Sequence, residues 1–555
     1  MVQNDDEYPC MPLREAIARG QEAFLLVINN KYFETYSMLD KYAKDSFYHA
    51  VGKGLILCLR FAFTLKVEYY TDAWASIQYA VRKIEKCRRQ SNGTVAKLFS
   101  KNSSYNDWTD IECHAELCFA EISAVHTMLM VVNDRSIRGL IKAAIKIRTC
   151  YQSYKECKNI LKYRKSWEDP DMKHHFESGV LLGLGLFDMG ISYFPSRLVY
   201  LLEIAGFSGS RINGLELLMA CSRIKDGIRY PAVSVALSGY FGFGEFFYGL
   251  GEPNVNCIYE ILHHWEPKAP NSIAVIMGRA FKASWEGNFD EAVTFYDEYS
   301  RSQTLIKALH YFSNWQKMWI HSCQWDWKRA AENAESLMTN CPWSPSMFHY
   351  IYACILSMVA EDERGLVREE MMNKVQTHFR LAVKLKRSFG GKRAFHEKLV
   401  AEKAKTFILN PDKIVLATLD LMYLWNVFPL GARNPDTLPT ILGHIEERLE
   451  TWTKDKSIEI YAYLTFMKGV VLKYSNLPLT AVNCFFELMN YEKQLKEENH
   501  IIPQSCFEVG GIYRNLGDFT EAKKWFKKAN SYTNYKTDGL IRFRIDAAVK
   551  LMKQT

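Results

Sequence analysis

One spacing of small and aromatic residues near the end of the chain constrains its fold more than any other feature. The residues that share this spacing are, in order, Gly510-x2-Tyr513-x3-Gly517-Asp518-Phe519-x2-Ala522-x3-Phe526-x2-Ala529. The small residues let two helices approach closely, the aromatic residues fill the space between them, and Gly517-Asp518 suits a turn. The spacing therefore predicts a helix–turn–helix unit of about 34 residues. Such a unit cannot bury its own apolar face, so neighbouring units must stack against it.

The same offsets recur at three other places in the chain. The copies lie at residues 273–306 and 462–495 and, in a looser form, at residues 311–344. The period and pattern are those of the tetratricopeptide repeat. The strand pattern of alternating β-branched residues is missing. The predicted fold class is therefore all-α, with tetratricopeptide-like helix–turn–helix repeats stacked in a right-handed α-solenoid.

Composition excludes several other classes of protein. The chain has 555 residues, of which 48% are hydrophobic and 24% charged, as in ordinary globular proteins. A net charge of +8 is weak over this length and no recognition motif is present, so nucleic-acid binding is not expected. The first ten residues, MVQNDDEYPC, are acidic, and we expect no secretory leader. The fourteen cysteines are therefore predicted to be reduced and mostly buried.

Residues 231–251 form the most apolar segment that the sequence singles out. Glu245 is their one charged residue, and five of the positions are glycine, which weakens an isolated helix. A buried pair of helices is the prediction here, and membrane insertion or surface docking is the alternative.

The central part of the chain resembles a known family. Residues 176–218 read FESGVLLGLGLFDMGISYFPSRLVYLLEIAGFSGSRINGLELL. Their pattern is similar to that of the tetratricopeptide repeat protein 39 family. The matching residues are Ser178-Gly179, Gly183-x-Gly185-x-Phe187, Ser192, Pro195 and Gly206-Phe207-Ser208-Gly209-x-Arg211-x2-Gly214. That family includes the fungal inclusion-body-clearance proteins. Asp188 departs from the pattern, which has asparagine there, and Phe194 stands in place of leucine.

The resemblance extends over residues 13–550, nearly the whole chain. It implies a non-enzymatic, intracellular helical-repeat protein. It also links the chain to the mitochondrial outer surface, lipid handling or aggregate clearance. It implies no catalytic residue that could be assigned to a position in this sequence.

The repeats and the intervening segments predict six regions along the chain. These are N-terminal helical repeats at 1–90, a polar loop at 91–110, a central helical region with the family pattern at 111–272, repeats at 273–361, a helical connecting region at 362–461, and C-terminal repeats at 462–555.

Sequence motifs of enzymes and metal sites are incomplete. Gly183-x-Gly185 lacks the third glycine of a dinucleotide loop and follows no strand. Cys113-His114-x3-Cys118 places its two sulfurs on different faces of a helix. We therefore predict no enzyme, no cofactor and no metal site.

Arg211 and a group of lysines are the candidates for binding a partner, and Arg211 comes first. After Pro195, a helix is predicted over residues 197–205, followed by a turn that leads to a helix at 211–223. In the simpler interpretation, the glycines around the turn only let the helices and turns pack. In the alternative interpretation, the loop presents Arg211 to a partner, because an arginine side chain is suited to binding a carboxylate or phosphate group.

The lysine candidates lie in the stretch from Arg138 to Lys165, which contains nine basic residues and one acidic residue. The lysines step by three or four and are predicted to line one helical face. This face is either solvated or a basic stripe for acidic lipid or peptide. The candidate residues are Lys142, Lys146, Lys158 and Lys162.

Two functions are consistent with these patterns. The first is a cytoplasmic scaffold or adaptor that holds a protein or peptide on the concave surface, lined by the first helix of each repeat. The second is a peripheral membrane protein that docks on an acidic surface of the mitochondrial outer membrane or a lipid droplet. The sequence predicts neither the identity of the partner nor the oligomeric state.

Overall fold

The computed structural model describes most of the chain in two compact units. The described residues are 11–64, 66–89, 105–134, 136–192, 209–244, 249, 254–302, 309–386, 388–389, 392–393 and 395–552. Unit 1 comprises Met1–Gly239 and Glu260–Val275, and unit 2 comprises Tyr240–Tyr259 and Ile276–Thr555.

The described residues form twenty-five α-helices. The first eleven are α1 Leu13–Ile28, α2 Tyr32–Tyr42, α3 Phe47–Thr64, α4 Val67–Cys87, α5 Asp110–Asn133, α6 Ile137–Tyr163, α7 Pro170–Ser192, α8 Arg211–Ser222, α9 Tyr230–Gly239, α10 Val255–Trp265 and α11 Ile273–Trp285. The others are α12 Phe289–Ser302, α13 His310–Cys323, α14 Trp327–Asn340, α15 Pro345–Glu361, α16 Gly365–Lys384, α17 Phe395–Leu409, α18 Ala417–Leu424, α19 Phe428–Gly431, α20 Thr437–Thr451, α21 Ile458–Tyr474, α22 Pro478–Met489, α23 Ile501–Asn515, α24 Phe519–Ser531 and α25 Asp538–Leu551. The predicted all-α helical-repeat fold is confirmed.

Strand structure in the described part of the chain is limited to one short hairpin. β1 Ser388–Phe389 pairs antiparallel with β2 Lys392–Arg393, directly after α16. Of the basic residues near this hairpin, Lys384 ends α16, and Lys392 and Arg393 form β2.

The four predicted repeats correspond to four helix pairs, α11–α12, α13–α14, α21–α22 and α23–α24. A Cβ atom placed on Gly510 would lie 2.7 Å from the ring of Phe526, and one on Gly469 would lie 2.7 Å from the ring of Phe485. Only glycine lets the paired helices approach this closely. The predicted roles of the small and aromatic positions are confirmed.

The turns of these four pairs share one backbone conformation. The residue two positions before the second helix has a positive φ: Gly287, Trp325, Asn476 and Gly517. Glycine adopts this conformation freely, whereas tryptophan is strained in it. The Trp325 ring stacks on His444 at 4.1 Å between centroids. That contact helps to hold the strained residue in place.

Several local predictions fall on residues outside the described ranges. They include most of the 91–110 loop, the helix at 197–205 and the turn at 206–208. The helix predicted to begin at residue 211 is confirmed as α8. The six region boundaries stay a prediction.

The apolar segment 231–251 does not form one long helix over its described part. α9 ends at Gly239 and a π-helical turn follows at Tyr240–Gly244. Among the described helices, the one long and apolar enough to cross a membrane is instead α5. The fold buries 56% of its most apolar window, and its first residue, Asp110, pairs with the buried Arg164 over 2.7 Å.

Candidate interaction surfaces

The first helices of the repeats in unit 2 are more completely buried than the second helices. In the first helix α21, residues 464–467 and 469–472 are all buried. The second helix α14 buries only residues three or four positions apart, namely Trp327, Ala330, Ala334 and Leu337. A single buried stripe means one covered side. The first helices must therefore be covered on a further side by residues outside the pair.

Residues 416–431, which we call the inner segment, provide this cover. They include α18, which is buried along its whole length, and the short α19. The ring of Trp425 lies 6.2 Å from that of Trp315 on α13, and the ring of Tyr423 meets Phe466 on α21 edge-on at 5.0 Å. The inner segment thus contacts first helices that are far apart in sequence.

Hydrogen bonds extend this cover to α23 and α25. The Tyr423 hydroxyl donates to Glu508 Oε1 over 3.0 Å, and Arg544 Nη2 donates to the Leu424 carbonyl over 2.9 Å. Lys473 Nζ donates to the other oxygen of Glu508 over 2.7 Å. The charged groups of this contact, Glu508, Lys473 and Arg544, are therefore paired within the core.

The side of α21 that the inner segment covers is not the side that faces its second helix. Tyr463 donates to the Leu416 carbonyl over 2.8 Å, and the Tyr474 ring stacks with Phe428 at 6.5 Å. These tyrosines are about three helical turns apart and lie on one side of α21, whereas Gly469 lies about 120° around from Tyr463. The chain's own residues thus cover the surface where we expected a partner peptide, and the expected open surface is absent from these described helices.

The lysines of the predicted basic stripe lie on one long helix, α6, but not on one face of it. At about 100° per residue, Lys142 and Lys158 point about 160° apart, and Lys146 and Lys162 repeat the same separation. Lys142, Lys158 and Lys162 are exposed. The prediction of one common face is therefore wrong. Lys142 and Lys146 share one side of α6, and Lys158 and Lys162 share another, because residues four apart differ by only about 40°. Over the sixteen residues between the two pairs, the difference in direction grows to about 160°.

Other basic residues of this stretch are partly or fully withdrawn from solvent. Burial lowers the pKa of the half-buried Lys146, and the charge of Glu85 opposes that shift. Arg164 is buried with Asp110 and also donates to Cys113 Sγ over 3.0 Å. Arg164 is therefore paired within unit 1, and both residues contribute less to a surface charge.

Arg211 is the first residue of α8 and is half-buried. The preceding Ser210 caps the helix, because its hydroxyl accepts from the Asn213 amide over 3.3 Å. Most of the loop predicted to present Arg211 lies outside the described residues, so its role stays a prediction.

The glycines of the family pattern bring helices of unit 1 close together. A Cβ on Gly185 would lie 2.9 Å from Leu218, and one on Gly214 would lie 2.8 Å from the Gly185 carbonyl oxygen. A Cβ on Gly183 would overlap the ring of Tyr154. These positions need glycine for packing, in agreement with the simpler interpretation of the pattern.

Asp188, the departure from the family pattern, is buried between α7 and α8. Burial raises the pKa of its carboxyl group, and a hydrogen bond donated by Asn213 Nδ2 opposes the shift. The extra charge is thus partnered across the helix contact.

A buried polar network that the sequence did not predict crosses unit 1. Arg229 donates to both carboxylate oxygens of Glu121, over 3.0 and 2.8 Å, and its Nη1 donates to the Tyr48 hydroxyl over 3.0 Å. The Tyr48 oxygen lies 2.6 Å from His114 Nδ1, and His114 Nε2 lies 3.0 Å from the Met172 carbonyl.

The partners in this network define the state of the histidine. A carbonyl only accepts, so His114 Nε2 carries the proton and Nδ1 accepts from Tyr48. Burial, and then the charge of Arg229, hold the pKa of His114 well below its usual value. Each member is satisfied within the protein, which makes the network structural.

Cys113, His114 and Cys118, whose spacing was considered for metal binding, are buried in the core of unit 1. The described residues contain no group of three histidine, cysteine or acidic side chains that could hold a metal ion. Thirteen cysteines lie in the described ranges, all are free, and burial raises the pKa of the Cys118 thiol to about 12. Such thiols are inert core residues.

Comparison with known proteins agrees with the helix pairs and the central pattern. The model of the Iml2/tetratricopeptide repeat protein 39 family matches residues 21–475, most of the chain. The chain belongs to this family. A second model, described as a tetratricopeptide repeat, matches residues 503–534 of this family member, which include the repeat from Gly510 to Ala529.

The chain aligns over most of its length with a curated relative and with two solved structures. The family member is 27% identical to tetratricopeptide repeat protein ttc-39B of Caenorhabditis elegans over 554 residues, which is 98% of this chain and 93% of the relative. A crystal structure of yeast Tom70 aligns over 97% of this chain and 96% of its own, at 11% identity and a TM-score of 0.31. The structure of Naa15/Naa10 bound to HypK-THB aligns over 97% and 91%, at 12% identity and a TM-score of 0.20.

Proposed function

We propose that this chain is a non-enzymatic scaffold that binds protein partners on the surface of its helical repeats. The observation that carries the proposal is the stacked array of helix pairs, of which α21–α22 and α23–α24 are each locked by a phenylalanine ring against a glycine. Such an array is rigid before a partner arrives, so little conformational entropy is lost on association. Membership of a tetratricopeptide repeat family supports the same function.

The partner surface of unit 2 in this proposal is not the one first expected. The inner segment covers a side of the first helices, whereas the second helices keep an exposed face. A partner would therefore meet the outer face of unit 2 or a surface of unit 1.

The experiment is proximity labelling in cells with the tagged full chain, followed by fractionation of the same lysate. A small, reproducible set of labelled proteins in the soluble fraction is the expected result and would identify the partners. Labelling indistinguishable from that of a tag-only control would refute the scaffold proposal.

A second candidate function is docking on an acidic membrane surface through the first half of α6. Ile141 and Ile145 are 57% and 66% exposed, and the neighbouring Arg138 and Lys142 are also exposed. The sequence has no acidic residue from position 135 to 155. Exposed apolar residues beside basic ones are typical of helices that lie at an anionic membrane surface. The surface in question is that of the mitochondrial outer membrane or a lipid droplet.

The geometry of α6 supplies a matched control for this second function. Vesicles of phosphatidylcholine with and without phosphatidylserine are sedimented with the full chain. Reversal of Arg138 and Lys142 to glutamate should abolish salt-sensitive binding, whereas reversal of Lys158 and Lys162 on the other side should not. Equal loss from both pairs would mean a diffuse charge effect, and no binding by the unchanged protein would exclude this docking surface.

A further inference from the structure

The outer face of the last two repeats carries an aromatic and basic surface. We propose that this surface, formed by α22 and α24, binds an acidic segment of a partner protein through apolar anchor side chains. The inference rests on the proposed scaffold function and specifies one partner surface and its chemistry.

The apolar part of this surface is a row across the two second helices. Phe486 is 38% exposed and stacks on Trp525 of α24, with ring centroids 5.4 Å apart and an angle of 29° between the planes. Leu479 lies about two helical turns before Phe486, hence on the same side of α22, and is 67% exposed. Aromatic residues at the centre of a surface are the typical anchors of protein interfaces.

The basic part of the surface lies beside this row. Lys524 and Lys528 are about 100° and 60° around α24 from Trp525, whereas Lys523 and Lys527 are about 160° from it. Lys523, Lys524, Lys527 and Lys528 are all exposed on α24. Lys528 Nζ lies 5.0 Å from the centroid of the Trp525 ring and 3.7 Å from Met489 Sδ. Among the described residues, Lys523 and Lys527 form no salt bridge, whereas Lys524 pairs with Glu521 on its own helix.

These charges decide what kind of partner fits. Four lysines on one short helix repel each other, and an acidic partner would relieve that repulsion and steer the encounter. The Trp525 ring would lie beneath the contact, where exclusion of water strengthens its interaction with the Lys528 ammonium group. The partner is therefore an acidic segment with apolar residues spaced to meet the row.

A protein segment fits this surface better than a lipid bilayer does. Phe486 and Trp525 are stacked on each other and Trp525 is partly buried, so the contact between the rings limits how far either can reach into a bilayer. Insertion into a bilayer needs apolar side chains that can reach below the headgroups. An aromatic row with lysines beside it matches the apolar face of a helix or extended segment.

The test uses the full chain and a fluorescein-labelled synthetic peptide of about four helical turns, built from glutamate and leucine with leucine at helical spacing. Fluorescence anisotropy should show saturable, salt-sensitive binding. Phe486→Asp, and separately Lys524→Glu with Lys528→Glu, should each weaken binding by at least about tenfold, which is about 1.4 kcal/mol. Reversal of Lys374 and Lys405, exposed lysines of α16 and α17, is the matched control and should leave binding unchanged.

Three results would overturn the proposal. They are equal binding of a scrambled peptide of the same composition, unchanged affinity in both variants, or binding of phosphatidylserine vesicles through the same residues without peptide binding. Circular dichroism of each variant checks that the fold is intact.

Proximity labelling with the Lys524→Glu/Lys528→Glu variant separates this inference from the scaffold proposal. Loss of some labelled partners is the expected result. An unchanged partner set would refute this surface while the scaffold function stands, and an empty set with the unchanged protein would refute the function itself.

Discussion

The ion pair between Asp420 and Lys403 should control how firmly the inner segment is held. Asp420 lies on α18, Lys403 lies on α17, and each side chain is only 7% exposed. Burial by itself lowers the pKa of Lys403, but the charges of Asp420 and then Glu498 outweigh it and raise the pKa above its usual value. The ammonium group therefore stays charged in the core because of its carboxylate partner.

Asp420→Asn should destabilise unit 2 by about 3–5 kcal/mol, because it leaves a buried charge without its main partner. The side chain keeps its size, so cavity formation adds little. A second variant, Asp420→Asn with Lys403→Met, removes both charges and should recover most of the loss, since desolvation of the pair is itself unfavourable. Both are compared with the unchanged chain by urea unfolding.

Hydrogen–deuterium exchange locates the effect. Peptides from residues 416–431 should exchange faster in Asp420→Asn, and peptides from unit 1 should not, because the pair anchors one local element. A loss below about 1 kcal/mol would refute the reasoning, as would a double variant no more stable than the single one.

The pH dependence of this stabilisation follows from the raised pKa of Lys403. A raised pKa in the folded protein means that the stabilisation is complete below the unfolded value of about 10.5 and is lost as pH rises through the folded value. Loss of the Lys403 charge should thus narrow the stability difference between the unchanged chain and Asp420→Asn in strongly alkaline solution and leave it intact near neutral pH.

Three further predictions concern packing and acid stability. Gly183→Val should lower stability by about 1–3 kcal/mol through overlap with Tyr154, and Tyr154→Leu should restore part of it in thermal unfolding; no rescue would contradict the overlap. Phe526→Ala should cost about 3–5 kcal/mol because its ring is fully buried, while Phe486→Ala on the outer face should cost less than about 1 kcal/mol, and equal losses would argue against the assigned faces. The lowered pKa of His114 means that only the unfolded chain takes up its proton, so stability should fall below about pH 6.5, by up to about 1.4 kcal/mol per pH unit for this histidine; urea midpoints of His114→Gln should show a shallower slope, and an unchanged slope would contradict the reasoning.

The repeat spacing predicted the helix pairs because the forces that form them are local. Gly510 and Phe526 meet within one unit, and Asp518 caps the helix that follows it by accepting from the Glu521 amide over 3.0 Å. Each of these relations is set by neighbours in sequence, so one chain is enough to show them. The equivalent turn with Trp325 in place of glycine was harder to recognise, because its strain is held by His444, more than a hundred positions away.

The candidate surfaces were less accessible to sequence reasoning. The basic stretch was found from composition and spacing, yet its lysines divide between two sides of α6 because the angular drift builds up over a long helix. The row of Phe486 and Trp525 was missed, since the two residues lie on different helices and meet only after the repeats stack.

The sequence by itself determined the all-α class, the repeat units and the family to which the chain belongs, because each depends on short spacings. Only the tertiary structure decided that the inner segment covers the first helices of unit 2, and that Arg229 joins Glu121 across 108 positions of sequence. Such contacts form between helices whose sequences show no common spacing that would reveal the contact. Burial of apolar groups and pairing of charges select these helix contacts as the whole unit folds.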